Sequence, residues 1–88
     1  MNCWIGIEHT GGRRIVRLAG AFNHQQVPEL LRACAPHEGA LELDLCDLVC
    51  ADAAGIAALR RLGQQGVVLV RIPGYIQFKL ETRPEGLR

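Results

Sequence analysis

The stretch that decides the fold runs from residue 41 to residue 56 and reads LELDLCDLVCADAAGI. Leucines at every second position from 41 to 45 alternate with more polar residues, which predicts a half-buried strand. A helix is expected to begin after Asp52, whose carboxylate is suited to cap a helix N-terminus. Two alanines separate Asp52 from Gly55. A turn from a strand into a helix is a common place for a reactive side chain. In residues 50–56, however, only Asp52 offers polar side-chain chemistry.

The helix after this turn and the apolar run that follows it predict a βαβ unit. Ile56, Leu59 and Gly63 can share one helical face, and Gly63 or Gly66 can end the helix. Residues 67–72 form a nearly continuous apolar run, typical of a strand covered on much of its surface. We expect the strands on either side of this helix to be parallel, with a right-handed crossover.

An N-terminal hairpin is predicted from two segments near the start of the sequence. Residues 4–8 alternate weakly, and residues 13–20 are rich in β-branched and apolar side chains, as strands are. Gly11 and Gly12 lie between the segments, and both can adopt the positive φ that a tight hairpin turn needs. We therefore expect two antiparallel strands here.

A short amphipathic helix is predicted after the hairpin. Asn23 is suited to cap it, and apolar residues follow at the i, i+3, i+4 and i+7 positions of one face: Val27, Leu30, Leu31 and Cys34. Pro28 fits only in the first turns, so this helix should begin near Gln25 or Gln26 and stop at Ala35-Pro36. With a last helix over residues 75–80, stopped before Pro84, the predicted order is β-β-α-β-α-β-α. The expected fold class is α/β, a mixed sheet with helices packed on one face.

The composition predicts one small domain over residues 1–88. Of the 88 residues, 49% are apolar and only four are aromatic, so the core must be mainly aliphatic. Ten basic residues balance nine acidic ones, without the basic stripe that nucleic-acid binding requires. No apolar run approaches the roughly 20 residues that span a bilayer, and no secretory signal pattern is present. We expect a cytoplasmic protein that neither binds nucleic acid nor inserts into a membrane.

Neither metal binding nor catalysis is indicated. Cys46 and Cys50 have three residues between them rather than the two of a zinc knuckle, and no second pair matches. Without a secretory context, the four cysteines are expected to be small buried hydrophobic residues. The sequence shows no nucleophile–base pair and no phosphate-cradling glycine loop. We therefore expect no enzyme activity, no metal and no cofactor.

Three segments in order resemble the STAS domain, which occurs in bacterial anti-sigma-factor antagonists and in the cytoplasmic tails of sulfate transporters. Leu43-Asp44-Leu45 followed by residues 52–56 is similar to the family's strand and its D-[ST]-[ST]-G-[LI] helix start. Residues 16–23 are similar to its "v-x-l-x-G-x-l-D" element, with Asn23 where aspartate is common. Residues 67–70 match the strand after the motif helix. The resemblance implies the α/β fold expected above.

The sequence departs from that family at the residue that carries its regulation. In the antagonists, a partner kinase phosphorylates the serine or threonine that follows the aspartate; here Ala53 stands at that position, and Ala54 follows. The sequence contains no serine, and its other hydroxyl-bearing residues, Thr10, Tyr75 and Thr82, lie outside the motif. Phosphorylation would add about −1.5 to −2 charges at a helix N-terminus. We therefore predict no phosphorylation at position 53 and a module held in its unmodified form.

Together these features predict a non-catalytic protein-binding module similar to an anti-sigma-factor antagonist of bacterial transcription and signalling. The predicted partner-binding residues surround the turn and the helix after it: Asn23, Asp52, Ala53, Ala54, Gly55, Ile56, Leu59 and Arg60. The resemblance implies three partner classes, namely an anti-sigma kinase-like protein, a sensor assembly, or an ABC-type lipid transport complex with this chain as an accessory subunit. A simpler interpretation stays open, in which Asp52 only caps the helix and Gly55 only permits packing.

Two further functions stay open at this point. A cleft near Asn23 and Asp52 is a candidate for sensing a small ligand, a nucleotide or a lipid. The N-terminal hairpin and the exposed edge of the sheet are candidates for forming a homodimer. Neither has a specific sequence motif in its favour.

Overall fold

The computed structural model describes residues 2–34 and 40–81, which contain five strands and three helices. The strands are β1 (Cys3–Thr10), β2 (Arg13–Phe22), β3 (Leu41–Asp44), β4 (Leu48–Ala51) and β5 (Val68–Val70). The helices are α1 (Val27–Cys34), α2 (Ala53–Gln64) and α3 (Gly74–Glu81). The α/β class and the predicted element order are confirmed, with a break added in the third strand.

Strand β2 lies at the centre of the sheet. It pairs with β1 in an antiparallel register that runs from Cys3↔Gly20 to Thr10↔Arg13, so the predicted hairpin is confirmed. The two glycines of its turn have φ of +54° and +78°, as a two-residue hairpin turn requires. On its other side β2 pairs in parallel with β3 and then with β4, and β5 pairs in parallel with β3. The main path of the sheet is β1-β2-β3-β5, and the parallel pair of the βαβ unit is confirmed.

β3 ends at Asp44, earlier than the alternation through Cys46 predicts, and β4 follows it as a separate strand that the sequence did not predict. The backbone N–H of Cys46 donates to Oδ1 of Asp44 at 3.0 Å, and this local bond competes with the sheet ladder. The N–H of Leu48 then donates to the carbonyl of Leu45 at 3.1 Å, which closes a turn. The register of the β2–β4 pair also shifts, since Gly20 pairs with Leu48 and Ala21 pairs with Cys50. The two short strands therefore follow each other along the same edge of β2.

The core lies between one face of the sheet and the helices. Val16, Leu18 and Leu43 of the sheet are buried there with Leu59 of α2 and Ile76 of α3. The opposite face, which we call the open face, is the face on which Trp4 and Val68 lie, and both are more than half exposed. The expectation that the last strand is covered on much of its surface is therefore wrong for Val68, because no described helix covers the open face.

The ends of α2 follow from its capping residues. Gly66 has φ of +102°, its N–H donates to the carbonyl of Gly63, and the N–H of Val67 donates to the carbonyl of Leu62 at 3.0 Å. These two bonds form a Schellman motif, so Gly66 ends α2 and Gly63 lies within the helix. The predicted helix stops at Ala35-Pro36 and before Pro84 fall outside the described residues. None of the helices in residues 2–34 and 40–81 combines the length and the apolar character needed to cross a membrane.

The four cysteines differ in burial, and none of them forms a disulfide. Cys34 is buried, and burial raises the pKa of its thiol to about 11, against a smaller opposing effect of Arg14. Cys3 and Cys50 are partly buried, whereas Cys46 is exposed. The expectation of buried cysteines is therefore wrong for Cys46, because this residue lies in the turn that connects β3 to β4.

Candidate functional site

Asp52 organises the turn between β4 and α2. Its Oδ1 accepts the backbone N–H of Gly55 at 2.8 Å, with Asp52 in an extended conformation, so the predicted N-cap is confirmed. Its Oδ2 accepts the backbone N–H of His24 at 3.1 Å and lies 3.4 Å from Nδ1 of the same residue. Its own N–H donates to the carbonyl of Phe22 at 3.1 Å. Asp52 therefore joins the start of α2 to the loop between β2 and α1.

These hydrogen bonds also stabilise the charge of the site. The N–H of Gly55 contributes most to lowering the pKa of the Asp52 carboxyl, and the backbone and ring of His24 lower this pKa further. Asp52 is therefore ionised at neutral pH, at the end of α2 where the helix dipole favours a negative charge. No group of three or more His, Cys, Asp or Glu side chains in the described parts of the chain is placed to hold a metal ion.

Gly55 permits a close approach between α2 and β2. A Cβ atom at this position would lie 3.0 Å from the carbonyl oxygen of Phe22 and 2.9 Å from Cδ2 of its ring. The packing that Gly55 permits is therefore an approach of α2 to the backbone of β2 within the chain itself. The capping role of Asp52 and this packing role of Gly55 are therefore sufficient to explain both residues, as the simpler interpretation holds.

Asn23 caps the entry to α1. Its Oδ1 accepts the N–H of Gln25 at 2.9 Å, and Oε1 of Gln26 accepts the N–H of Asn23 at 3.1 Å. The first bond closes an Asx turn, and the second is the return bond that a capping box also contains. Regular helix begins at Val27, after a turn over residues 24–26, slightly later than predicted. Because His24 binds Asp52, the capped entry of α1 and the capped start of α2 meet at one end of the sheet.

The exposed side of α2 begins with small residues. Ala53, Ala54 and Ala57 are exposed, and we call these three residues the alanine ridge. Ile56 and Leu59, which were predicted to bind a partner, are buried beneath it, with Leu59 fully enclosed in the core. The side chain of Leu59 thus supports the ridge from below and offers no surface to a partner.

Two open grooves flank the alanine ridge. The first has a volume of about 450 Å³ and lies between α1 and α2, with Val27 and Leu31 on its far wall. The second has a volume of about 360 Å³ and lies between α2 and α3, with Phe78 and Lys79 on its far wall. Ala57 lines both grooves. Sequence reasoning missed Ala57, although its spacing from Ala53 and Ala54 places it on the same helical face.

Arg60 joins α2 to α3. Its Nε and Nη2 donate to the carbonyl of Leu80 at 3.2 and 3.1 Å, and Nη2 also donates to the carbonyl of Lys79 at 3.2 Å. These carbonyls belong to the last turn of α3, where a cation is favourable. Arg60 was predicted to bind a partner, and the structure gives it the additional role of fixing the far wall of the second groove.

The open face carries a separate cluster around Asp44, which sequence reasoning did not single out as a site. Asp44 is 4% exposed, and Oδ1 accepts Nε of Arg71 at 3.3 Å, while Oδ2 contacts Nη2 of Arg71. Nε of Arg17 lies 3.5 Å from Oδ2, and Nη1 of Arg17 lies 2.9 Å from Glu8. Burial alone would raise the pKa of Asp44, but the hydrogen bonds from Arg71 and from the N–H of Cys46 outweigh it and lower the pKa. Arg71 holds this contact with φ of +54°, a strained value for a residue other than glycine.

Comparison with known proteins identifies the fold. No protein-family model and no curated protein sequence matches the chain. A solved structure from Shewanella loihica PV-4, described as an uncharacterized protein of the DUF3478 family with a SpoIIAA-like fold, matches with a TM-score of 0.50. The match covers 88% of this chain and 72% of that protein, at 18% sequence identity. The chain therefore has a SpoIIAA-like fold, which is STAS-like, and the fold implied by the sequence resemblance is confirmed.

Proposed function

We propose that this chain is a non-catalytic protein-interaction module that docks a protein partner through the alanine ridge and its two flanking grooves. The observation that carries the proposal is the geometry of this face. A ridge of methyl side chains lies between two grooves whose walls combine apolar and charged side chains, and no described element covers it. Small residues allow the backbone of a partner helix to approach closely, and the grooves offer room for larger side chains on either side of it.

The charges around this face favour a partner with acidic side chains. Arg61 lines the first groove and Lys79 lines the second. Asp52 lies at the N-terminal end of the ridge, but its carboxylate already accepts bonds from Gly55 and His24. Positive charge at the groove rims therefore supports attraction and orientation of the partner, with a contribution that salt will weaken.

The module binds in a constitutive manner under this proposal. Ala53 is the first residue of α2 and is exposed, and it has no hydroxyl group that a kinase could modify. The STAS-like fold and the motif resemblance support a bacterial cytoplasmic partner. The candidates are an anti-sigma kinase-like protein in transcription control, a sensor assembly, or a lipid transporter to which this chain adds an accessory subunit.

Affinity capture followed by binding measurements on the purified pair tests the docking face. We expect Ala54→Arg and Ala57→Arg to abolish binding of a specific partner, because each places a long charged side chain on the ridge. Ala53→Ser should bind as the unsubstituted chain does, whereas Ala53→Glu should bind more weakly because it introduces a charge where phosphate would stand in relatives.

Thr10→Arg is the matched control, because it adds the same side chain at an exposed site at the far end of β1. Far-ultraviolet circular dichroism should show that all variants are folded. A specific partner that binds Ala54→Arg and Ala57→Arg as tightly as it binds the unsubstituted chain would exclude this face as the docking site.

A small apolar ligand in the second groove is the other candidate function. The groove has a ligand-sized volume of about 360 Å³, and Ile56, Ala57 and Phe78 give it an apolar lining. A ligand bound there should raise the melting temperature in a screen of nucleotides and lipids. Ala57→Arg should remove that shift, and a shift that survives this substitution would exclude the groove.

A further inference from the structure

The outer edge of β1 differs from the other strand edges in the described residues. The carbonyls of Leu48 and Ala51 in β4 accept hydrogen bonds from Tyr75 and Lys79, so α3 covers β4. β5 has three residues, too few for a long ladder. β1 has eight residues and pairs with β2 on one side, and none of the described strands pairs with its other side. A long strand with one unpaired side is a template for another chain.

The ladder register shows which main-chain groups of β1 point outwards. The N–H of Ala21 donates to the carbonyl of Asn2, so residues at even positions in β1 are bonded to β2. In an antiparallel pair, hydrogen-bonded and non-bonded positions alternate. The N–H and C=O groups of the odd positions therefore point away from β2: Cys3, Ile5, Ile7 and His9.

The side chains of β1 leave this edge unprotected. Trp4 on the open face is 60% exposed, and Ile7 on the face that carries the helices is 53% exposed. Protected edges usually contain charged side chains, lysine above all, or proline or a bulge; residues 3–10 have no lysine, proline or bulge, and their one charged residue, Glu8, is paired with Arg17 of β2. Large apolar side chains therefore stand beside unpaired main-chain groups on both faces of the same edge.

We propose that two copies of this chain associate by antiparallel pairing of their β1 strands, centred on Gly6. This register uses the full length of β1 and forms about eight main-chain hydrogen bonds through the outward groups. The facing pairs across the two copies are Ile5 with Ile7, Cys3 with His9, and Trp4 with Glu8. No like charges meet, and each exposed Ile7 is covered by Ile5 of the other copy. This self-complementarity identifies a second copy as the occupant, and the association is independent of the docking face on α2.

Sedimentation equilibrium of the 88-residue chain from micromolar to millimolar concentration tests the pairing. We expect a reversible monomer–dimer equilibrium, since one strand edge covers a modest area. Ile7→Lys should raise the dimer Kd at least about tenfold, because it places a charge in the paired edge. Val49→Lys, which replaces a similarly exposed apolar residue of β4, should leave the Kd unchanged.

A cysteine cross-link tests the register. In a Cys46→Ala background, His9→Cys places a thiol opposite Cys3 of the other copy at about 5.5 Å between Cα atoms, within disulfide range. Mild oxidation should then yield a covalent dimer, whereas Thr10→Cys in the same background should cross-link far more slowly. A monomer at all concentrations, an Ile7→Lys dimer of unchanged affinity, or equal cross-linking of the two cysteine variants would each overturn the proposal.

Discussion

Asp44 and Asp52 lie eight residues apart, and the structure uses their carboxylates in opposite ways. Asp44 is almost fully buried and draws together Arg17 and Arg71 on the open face. Asp52 is exposed and draws together backbone N–H groups from Gly55 and His24. The first carboxylate holds the strands together, and the second shapes the turn from which the docking face begins.

The contrast shows that one motif combines a stabilising residue and a positioning residue. Removing the buried carboxylate leaves the Cys46 N–H and the Arg71 guanidinium without this acceptor, and Arg17 keeps only its pairing with Glu8. Removing the exposed carboxylate leaves N–H groups that water can reach. We therefore expect Asp44 to contribute more to folding than Asp52 does, and Asp52 to contribute more to the shape of the docking face.

The largest expected effect is that of Asp44→Ala. We expect it to lower the free energy of unfolding by about 2 kcal/mol, since a buried acceptor for several donors is lost. Urea unfolding followed by circular dichroism measures this change. Asp44→Asn is the matched control, because it keeps an acceptor for the Cys46 N–H and should be less destabilising. Equal stability of Asp44→Ala and the unsubstituted chain would contradict the stabilising role of this carboxylate.

A smaller effect is expected for Asp52→Ala. Loss of the helix cap and of the bond to the loop at His24 should lower the melting temperature by a few degrees. Asp52→Asn should be less destabilising than Asp52→Ala, because asparagine is also a good N-cap for the N–H of Gly55, although its amide NH2 cannot accept the N–H of His24 as Oδ2 does. If Asp52→Ala proved more destabilising than Asp44→Ala, the assignment of the two roles would be reversed.

Lowering the pH should reduce the stabilisation that the carboxylates of Asp44 and Asp52 both provide. The pKa values of Asp44 and Asp52 are lowered in the folded state, so each carboxylate stabilises the protein fully above its unfolded pKa of about 3.9. That stabilisation is lost as the pH falls through the folded pKa values. The urea midpoint should therefore decrease as the pH is lowered from neutral to pH 2. In Asp44→Asn this dependence of the midpoint on pH should be weaker. An unchanged slope in that variant would show that Asp44 is not a source of the acid sensitivity.

The smallest net effect is expected for Arg71→Gly. Glycine relieves the strain of a positive φ but removes the guanidinium from Asp44, so the two changes oppose each other. Arg71→Ala removes the guanidinium and keeps the strain, so it should be the less stable of the two variants by urea unfolding. Equal stability of the two variants would show that the backbone at this position is not strained.

The fold could be predicted from local patterns, whereas parts of the site could not. The hairpin glycines, the cap at Asp52 and the stop at Gly66 act on neighbouring residues, so the sequence contains their signals directly. The break after β3 depends on a bond from the Cys46 N–H back to Asp44, which alternating leucines conceal. An alternating pattern indicates which side chains of a strand are buried. It does not indicate whether a side chain accepts a backbone N–H that the sheet would otherwise use.

The links that complete the two carboxylate sites were missed because they join distant residues. Arg17 and Arg71 each lie 27 residues from Asp44, and His24 lies 28 residues from Asp52. Which residues meet across such separations depends on strand register, and one sequence does not specify that register. Ile56 and Leu59 were predicted to bind a partner because they lie in the helix of the motif. The way α2 packs on the sheet instead buries both side chains beneath the ridge.

The central place of β2 also has a consequence for the order of folding. Its pairing with β1 closes across two glycines, and hairpins of this kind form within about 1–10 μs. Its pairing with β3 joins Arg14 to Leu41 and its pairing with β4 joins Gly20 to Leu48, so both must close long loops. Non-local pairings form slowly. We therefore expect the β1–β2 hairpin to form first and to remain without its neighbouring strands until β3 and β4 pair with β2. During that interval β1 and the side of β2 that later pairs with β3 and β4 are both exposed to solvent, and we expect nascent chains to be most prone to aggregate at this step.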